Sequence, residues 1–208
     1  MTDFSELATL GVATLYEASG KAGLIDIPLH QLIGRSRVAG PARTVRCGQD
    51  DNLMVHAAIE RIRPGDIVVL TMPEPRPIAL VGDLLATQMI AAGAAGVLVD
   101  AAVRDADDLA TLGLPIWARW IRVRGATKTV VGELDGPICV GGATIAPGDI
   151  VVLDADGACA IAQARVEEVT AAGRARAANE SRARERYARG ERSYDINNLR
   201  QVVTATSA

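Results

Sequence analysis

Aromatic side chains are scarce in this chain of 208 residues, which has two Trp, three Tyr and one Phe. Any core must therefore be built mainly from Ala, Val, Leu and Ile. Hydrophobic residues make up 49% of the sequence, which is enough for a sizeable core and excludes disorder as a description of the whole chain. The length predicts one fairly large domain, or at most two small ones.

The chain also lacks the features of exported, membrane-spanning and disulfide-linked proteins. The longest apolar stretch covers residues 89–99 and contains two glycines, whereas a membrane span needs about 20 apolar residues. The first ten residues lack the basic-then-apolar order of a secretory signal. The three cysteines form neither a disulfide framework nor a metal-binding spacing, and Cys139 and Cys159 lie in apolar runs typical of buried thiols. We therefore expect a cytoplasmic protein.

A strong charge of one sign is missing as well. The formal net charge is −3, which argues against nucleic acid as the main partner. Residues 165–192 are locally basic, with eight Arg against five Glu. Because the acids are interleaved and no set of aromatic residues accompanies the arginines, this segment favours a solvated or subunit-packing helix over an RNA-binding one.

Short apolar runs alternate with turn residues, which is typical of a layered α/β domain. The tripeptide Pro-Gly-Asp occurs twice, each time directly before four apolar residues, at 67–70 and at 150–153. Each unit predicts a tight turn followed by a buried strand, so we expect these two strands to occupy related places in the fold. Further strands are predicted at 96–100 and 115–117.

Helices are predicted around and between these strands. Three segments have the apolar spacing or polarity of helices: 52–62, 84–92 and 105–112. Gly93 stands where a C-terminal cap belongs. The order Thr14-Leu15-Tyr16-Glu17 is typical of a capping box, so a short helix is expected to begin there and to end at Gly20. Residues 165–190 predict a long charged helix.

Polar groups follow apolar runs at two places. One is Gly82-Asp83-Leu84-Leu85, at the start of a predicted helix, and the other extends from Asp100 to Arg104-Asp105, just after a predicted strand. The first amides of a helix are free to bind an anion, and ligands of α/β sheets bind at the carboxyl ends of the strands. Each residue alone also has a structural explanation, since Asp83 and Asp105 could cap helices and Arg104 could be a surface charge.

Taken together, these groups suit the chemistry of a 2-keto acid. One or two Asp residues are sufficient for Mg²⁺, which keeps several waters. Arg104 can hold a carboxylate through two hydrogen bonds, and the amides of Leu84 and Leu85 could bind the same anion or the neighbouring keto oxygen. Such a set would stabilise the enolate that forms when a carbon–carbon bond beside a 2-keto acid breaks.

Other catalytic routes have less support. A Schiff base needs a lysine with a depressed pKa, and neither of the two lysines, Lys21 and Lys128, has a visible reason to be neutral at pH 7. His56 lies among apolar residues of a predicted helix, which is typical of a packing histidine, and His30 has no partner in sequence. The sequence contains no nucleophile elbow, Walker loop or dinucleotide fingerprint.

The segments 82–87, 99–100 and 103–105 resemble those of a known family, the class II aldolases that act on 4-hydroxy-4-methyl-2-oxoglutarate and 4-carboxy-4-hydroxy-2-oxoadipate. Their superfamily also includes the regulator of ribonuclease activity A (RraA). The spacing Asp83-X20-Arg104-Asp105 is similar to the signature of the metal-dependent members. Further similar motifs extend the resemblance over nearly the whole chain: 51–56, 63–66, 115–117, 125–128, 146–149 and 194–200.

The resemblance implies a compact layered α/β/β sandwich of the RraA-like type. This domain would cover residues 1–165, and a C-terminal helix and tail, residues 166–208, would pack on a neighbouring subunit of a homotrimer or homohexamer. A glutamate of the neighbouring C-terminal helix would help to position the catalytic water. Glu180 is the best match for that residue, and Glu185 is the second.

The resemblance also implies a role for each residue of the site. The substrate pocket would consist of Gly82, Asp83, Leu84, Leu85 and Arg104. Asp105 would ligate Mg²⁺ or Mn²⁺, largely through a shell of waters. Arg104 would hold the carboxylate or keto oxygen of the pyruvyl part, and Asp83 would order a water bound to the ion.

Three functions follow as hypotheses. The first is a divalent-metal-dependent pyruvate aldolase that cleaves a 4-hydroxy-2-oxo dicarboxylate or tricarboxylate to pyruvate plus a second keto acid, with oxaloacetate decarboxylation as a side activity. The second is a non-catalytic binding protein like the ribonuclease regulator, which would not need the Asp83, Arg104 and Asp105 set. The third is a different metal-dependent lyase on the same scaffold, because residues 79–81 and 117–122 depart from the family pattern.

Overall fold

A computed structural model describes residues 4–206 of the chain. In chain order the elements are α1 (Ser5–Ala18), β1 (His30–Gln31), β2 (Val38–Arg46), α2 (Leu53–Ala58), β3 (Ile67–Thr71), β4 (Ala79–Val81), α3 (Asp83–Ala92), β5 (Gly96–Val103), α4 (Ala106–Leu112), β6 (Ile116–Ile121), β7 (Glu133–Leu134), β8 (Ile138–Val140), β9 (Ala143–Ile145), β10 (Ile150–Asp154), β11 (Gly157–Ile161), α5 (Val166–Ala188), α6 (Ser193–Ile196) and α7 (Leu199–Thr206). Short 3₁₀ turns, Ile59–Arg61 and Gln163–Arg165, follow α2 and precede α5.

One curled sheet of nine strands organises the fold. Its order is β1-β6-β5-β3-β2-β10-β11, with β4 beside β5 and β7 beside β2. The neighbours among β2, β3, β5 and β6 are parallel, whereas β10 and β11 are antiparallel. Every residue of β3, β5 and β10 is buried, as expected for a sheet covered on both faces. The four predicted strands are confirmed in β3, β5, β6 and β10.

The two Pro-Gly-Asp units do occupy related places, because their strands both pair with β2. β3 runs parallel to the second half of β2, and β10 runs antiparallel to its first half. The turn before β3 lies so close to β2 that a β-carbon on Gly40 would be 2.2 Å from the carbonyl oxygen of Gly65. Glycine at position 40 therefore allows the turn and the strand to meet.

Alternate residues of the central strands enter two different cores. Val68 and Leu70 of β3 face the helical side, where Val55, Leu85 and Leu109 come from α2, α3 and α4. The neighbouring residues of β3 face the opposite side, which β10 and the separate β8–β9 hairpin cover. A third cluster joins α1 and α5 to the outer side of β10 and β11. This arrangement confirms the predicted layered α/β/β sandwich.

The start of α1 differs from the prediction. The helix begins at Ser5 rather than at Thr14, and it has a kink at Gly11, where φ is +81° and ψ is +165°. The backbone N–H of Val12 donates a hydrogen bond of 2.8 Å to the carboxylate of Asp154. The second half of α1 is therefore capped by a residue distant in sequence, and the predicted capping box at 14–17 lies inside the helix.

The remaining helices agree with the sequence. α3 ends at Gly93, whose φ of +92° is the left-handed conformation that favours glycine. α5 is the predicted long charged helix, and its last buried residue is Gly173. Within residues 4–206, no helix has the length and the apolar character that crossing a membrane requires.

Candidate active site

Two strand-to-helix connections bring the predicted site together. β4 and β5 are parallel neighbours that pair Val81 with Val103, so their carboxyl ends lie at the same edge of the sheet. Directly after them, the N–H of Arg104 donates to the carbonyl oxygen of Val81 at 3.1 Å. The chain then enters α3 through Gly82 and α4 through Asp105. The 20-residue spacing of the motif is thus the length of one helix and one strand that return to this edge.

Gly82 gives the acidic and basic groups room to meet. A β-carbon on residue 82 would lie 2.5 Å from Oδ2 of Asp105 and 3.2 Å from Nε of Arg104. The same Oδ2 and Nε are 3.4 Å apart, and the side chains of Asp105 and Arg104 are 33% and 49% exposed. A carboxylate and a guanidinium therefore stand beside the glycine, both accessible to a ligand.

The start of α3 faces this pair. Gly82 is its N-cap and Asp83 its first residue, so Asp83 does not occupy the capping position that the sequence suggested. No side-chain cap is present at this end within the described residues, and the first amides of a helix have no acceptor within the helix itself. The N–H of Asp83 lies 3.4 Å from Oδ2 of Asp105. The amides of Leu84 and Leu85 follow, at positions where a helix provides no acceptor of its own.

Asp105 occupies the N-cap position of α4 but makes no capping hydrogen bond there. Its backbone is left-handed, with φ at +59° and ψ at +44°, a conformation that is uncommon outside glycine and costs energy. The side chain is directed to the Asp83 amide and to Arg104 instead. A simple helix cap is therefore not the explanation for this residue.

A small cavity of about 120 Å³ lies at the same edge. Its wall includes all five residues of the predicted substrate pocket, and it adds residues from α2 and from the loop before β7. The complete lining is Asn52, His56, Ala79, Leu80, Gly82, Asp83, Leu84, Leu85, Arg104, Ala126 and Lys128. Two cationic side chains, Arg104 and Lys128, thus face a cavity with one carboxylate in its wall, which favours an anionic ligand.

Sequence reasoning missed the contribution of α2. His56 was interpreted as a packing residue, yet it lines the cavity, and its Nε2 is buried without a hydrogen-bond partner among residues 4–206. Oδ1 of Asn52 is buried and unpartnered in the same way. A signal was present in the sequence, because the spacing of four residues places both side chains on one face of a helix.

Asp51 holds α2 and the loop of Lys128 together. Its buried carboxylate accepts hydrogen bonds from the N–H groups of Leu53, Thr129 and Val130 and from the hydroxyl of Thr127, at 2.6–3.0 Å. Burial alone would raise the pKa of Asp51, but these hydrogen bonds outweigh it and lower the pKa to about 2. The ionised carboxylate therefore fixes two walls of the cavity relative to each other.

Asp100 does not belong to the cavity. It lies in the middle of β5, with a side chain 4% exposed, and forms a 2.9 Å ion pair with Arg119 of β6. The guanidinium of Arg119 also lies 4.6 Å from the centre of the Trp120 ring. This part of the predicted polar cluster is therefore structural, and the unusual basic segment 117–122 contributes to it.

Glu180 and Glu185 lie on α5, away from the cavity wall. Glu180 pairs with Arg176 one turn earlier, at 2.9 Å. Their role at the site of a neighbouring subunit stays a prediction.

The donor set fits a hard divalent ion better than a soft one. Among residues 4–206, no three His, Cys, Asp or Glu side chains converge where they could hold a metal ion, so an ion at this site would have at most two such protein ligands. Asp105 offers one carboxylate that is one-third exposed, and Mg²⁺ needs few protein ligands because it keeps several waters. The space that Gly82 leaves open beside Oδ2 of Asp105 is consistent with such a site.

The cysteines lie elsewhere. Cys47 and Cys159 are buried, and burial raises the pKa of each thiol to about 12. Cys139 is exposed on the β8–β9 hairpin, so the prediction that it is a buried thiol is wrong. Side chains of this two-stranded hairpin alternate between the core and solvent, and Cys139 faces solvent.

A larger cleft of about 830 Å³ lies between the Pro-Gly-Asp turns, where Arg43 and Asp66 line it. Two of its charged groups satisfy each other, since Arg43 pairs with Asp66 at 3.0 Å, and Arg43 also pairs with Asp135 at 2.6 Å.

A family model described as RraA-like (Aldolase/RraA) matches residues 12–160. The chain belongs to the RraA-like family. A relative from Halalkalibacterium halodurans, provisionally named 4-hydroxy-4-methyl-2-oxoglutarate aldolase, is 38% identical over 133 residues. The matched part is 64% of this chain and 63% of that relative's length.

Solved structures of RraA-like proteins share the fold. The RNA-processing inhibitor RraA from Thermus thermophilis has a TM-score of 0.66 and 28% identity, covering 72% of this chain and 90% of its own. Streptomyces coelicolor RraAS2, described as an unusual member of the RNase ES inhibitor RraA family, has a TM-score of 0.78 and 28% identity, with 88% and 96% covered. The fold of this chain is therefore that of RraA-like proteins.

Proposed function

We propose that this chain is a divalent-metal-dependent pyruvate aldolase that cleaves a 4-hydroxy-2-oxo dicarboxylate or tricarboxylate into pyruvate and a second keto acid. The observation that carries the proposal is the meeting of Arg104, Asp105 and the open start of α3 around Gly82. The name of the Halalkalibacterium halodurans relative supports the same reaction class.

The pyruvyl end of the substrate would bind between Arg104 and α3. The half-exposed guanidinium can donate two hydrogen bonds to a carboxylate. The amides of Leu84 and Leu85 lie at the positive end of the helix dipole and can donate to the neighbouring keto oxygen. When the carbon–carbon bond breaks, negative charge moves to this oxygen, so the same donors stabilise the enolate.

A metal ion fits beside these groups. Asp105 would hold Mg²⁺ or Mn²⁺, with Asp83 ordering water near it. The bound ion would supply positive charge that stabilises the enolate oxygen. Arg104 and the α3 amides orient the substrate so that its keto oxygen faces Asp105.

Cleavage also requires that the substrate hydroxyl lose its proton. Asp83 lines the cavity, and its carboxylate can accept this proton through a water and return it to the enolate carbon to give pyruvate. Loss of CO₂ from oxaloacetate produces the same pyruvate enolate but needs no hydroxyl. Oxaloacetate decarboxylation is therefore the expected side activity.

The C-terminal arm, which is the chain after Gly173, would complete the site in a homotrimer or homohexamer. After Gly173, α5 has no buried residue, and a long helix needs packing to be stable. We infer that this arm packs on a neighbouring subunit, where Glu180 would help to position the catalytic water.

Pyruvate release tests the proposal. The protein is incubated with 4-hydroxy-4-methyl-2-oxoglutarate or oxaloacetate and Mg²⁺ or Mn²⁺, with and without a chelator. We expect metal-dependent release that is lost in Asp105→Ala and Arg104→Ala. The matched controls are Asp108→Ala on the exposed side of α4 and Arg122→Ala at the end of β6, which should retain activity. No release from the folded, metal-loaded protein would overturn the proposal.

A second candidate function comes from the inhibitor RraA, whose structure this chain resembles. In this role the chain would bind a ribonuclease and would not need Asp105 or Arg104. A pull-down with a ribonuclease separates the two functions, and absence of binding at low salt excludes the second. A different metal-dependent lyase would instead give metal binding at Asp105 but no pyruvate from either substrate.

A further inference from the structure

Oδ1 of Asn52 is a buried hydrogen-bond acceptor in a residue that lines the cavity. The residue is 8% exposed, and its Nδ2 donates a 3.0 Å hydrogen bond to the carbonyl oxygen of Leu80. A flipped amide would place two oxygens against each other, so this bond fixes the orientation of the amide and leaves Oδ1 as the atom without a partner among the described residues. Oδ1 is buried and has no partner within the described part of the chain.

His56 presents a second unpartnered atom one helical turn later. Its Nε2 is buried without a hydrogen bond among residues 4–206, and the residue lines the same cavity as Asn52. Each unsatisfied buried polar group costs about 1–3 kcal/mol. Two such groups, one at the N-cap of α2 and one within the helix, are thus a feature that a ligand or water must satisfy.

The chemistry of the pair selects the ligand group. A carboxamide oxygen only accepts hydrogen bonds, so the carboxylate and keto oxygens of a 2-keto acid cannot satisfy it. A hydroxyl can donate to Oδ1 of Asn52 and at the same time accept from Nε2 of His56. The tautomer of His56 that carries its proton on Nε2 thus gives the pair one acceptor and one donor, which a single hydroxyl complements.

We propose that Asn52 and His56 bind the substrate hydroxyl and are specificity-determining residues that make the site prefer a 4-hydroxy-2-oxo acid over a keto acid without the hydroxyl. This inference rests on the proposed function. In this arrangement Arg104 and the α3 amides bind the pyruvyl group, and Asn52 and His56 bind the hydroxyl on the neighbouring part of the substrate.

The test compares a substrate that carries the hydroxyl with one that lacks the hydroxyl-bearing carbon. 4-Hydroxy-4-methyl-2-oxoglutarate carries it and oxaloacetate does not, so kcat/KM for each is measured in His56→Phe and Asn52→Leu. We expect the ratio of aldol cleavage to decarboxylation to fall by about tenfold or more. His56→Gln, which keeps a nitrogen able to donate, should recover part of the ratio. His30→Phe, the same change at the exposed histidine of β1, is the matched control.

An unchanged ratio of aldol cleavage to decarboxylation overturns the inference. This includes the case in which both reactions lose activity in equal proportion, as a purely structural role would give. If the unmodified protein releases pyruvate from neither substrate, the proposed function fails, and binding decides the inference separately. Malate and succinate, which differ only in the hydroxyl, are then titrated calorimetrically in the presence of a chelator. A preference for malate of about tenfold that is lost in His56→Phe supports the inference, whereas equal binding or no binding overturns it.

Discussion

Gly82 and Asp105 approach so closely that a β-carbon on residue 82 would lie 2.5 Å from Oδ2 of the carboxylate. The backbone of Gly82 is extended, with φ at −132°, a conformation that any residue can adopt. Replacement of this glycine therefore strains no backbone but displaces the side chain that we propose as the metal ligand.

We expect Gly82→Ala to lower pyruvate release by about 100-fold, because a displacement of about 1 Å at a reacting centre has an effect of this size. The free energy of unfolding should change by less than about 1 kcal/mol, since the displaced atoms are half-exposed ends of side chains. Steady-state kinetics and urea unfolding measure the two effects. Gly34→Ala is the control, because a β-carbon there has no neighbour within 4 Å. Full activity in Gly82→Ala would mean that Asp105 is not needed where it stands.

Asp51→Asn should destabilise the fold by about 2–4 kcal/mol, because it replaces a buried acceptor of several hydrogen bonds with a group that also donates. The effect should depend on pH. The folded-state pKa of about 2 lies below the ordinary value of 3.8, so the ionised carboxylate stabilises the fold above about pH 4, and this stabilisation is lost as the pH falls toward 2. Urea unfolding of the unmodified protein and of Asp51→Asn at several pH values should show that the difference between their free energies of unfolding becomes smaller in acid.

The neighbouring Asp50→Asn is the control for that experiment. Asp50 is left-handed, with φ at +57°, which Asn tolerates well. Its ion pair with Arg76 is largely exposed, and such pairs contribute about 1 kcal/mol or less. A difference between the unmodified protein and Asp51→Asn that stays constant down to pH 2 would contradict the low pKa.

The Asp100–Arg119 pair should contribute to stability and not to specificity. Arg119→Met leaves a carboxylate that is 4% exposed without its cation, and we expect a loss of about 2 kcal/mol or more in the free energy of unfolding. The double variant Asp100→Leu/Arg119→Met should recover part of this loss, because it removes both charges. Arg122→Met at the exposed end of β6 is the control. A double variant as unstable as the sum of the single ones would show that the two side chains are energetically independent.

The sequence was sufficient to predict a strand or helix wherever the interactions that determine that element are local. Buried strands could be recognised from apolar runs after turns, and α3 from its spacing and Gly93. The meeting of Gly82 with Arg104 and Asp105 was also predictable, because parallel strands place their carboxyl ends at one edge of the sheet.

Prediction failed where a side chain finds its partner far along the chain. Asn52 is oriented by Leu80, and Asp51 holds the loop at Thr127 and Val130. The spacing of four residues indicates that Asn52 and His56 share a helix face, but nothing near them in sequence indicates that Oδ1 of Asn52 is left without a partner among the described residues. The same limitation explains the misplaced start of α1, whose kink at Gly11 depends on Asp154 in the second half of the chain.

Asp154→Ala distinguishes the observed cap from the predicted one. Asp154 is 6% exposed, and its carboxylate accepts 2.8 Å hydrogen bonds from the N–H groups of Val12 and Asp156. Removing this cap should lower the free energy of unfolding by about 1–2 kcal/mol. The hydrogen bond from Trp117 should persist, because it goes to the backbone oxygen of Asp154.

Thr14→Ala provides the comparison, since the predicted capping box would make Thr14 the important residue. In the structure Thr14 lies inside α1, where alanine is the better helix former, so we expect a change of less than about 0.5 kcal/mol. Urea unfolding at pH 7 measures both variants. A loss in Thr14→Ala as large as that in Asp154→Ala would mean that the helix begins at Thr14 after all, and that the contact between Val12 and Asp154 contributes little.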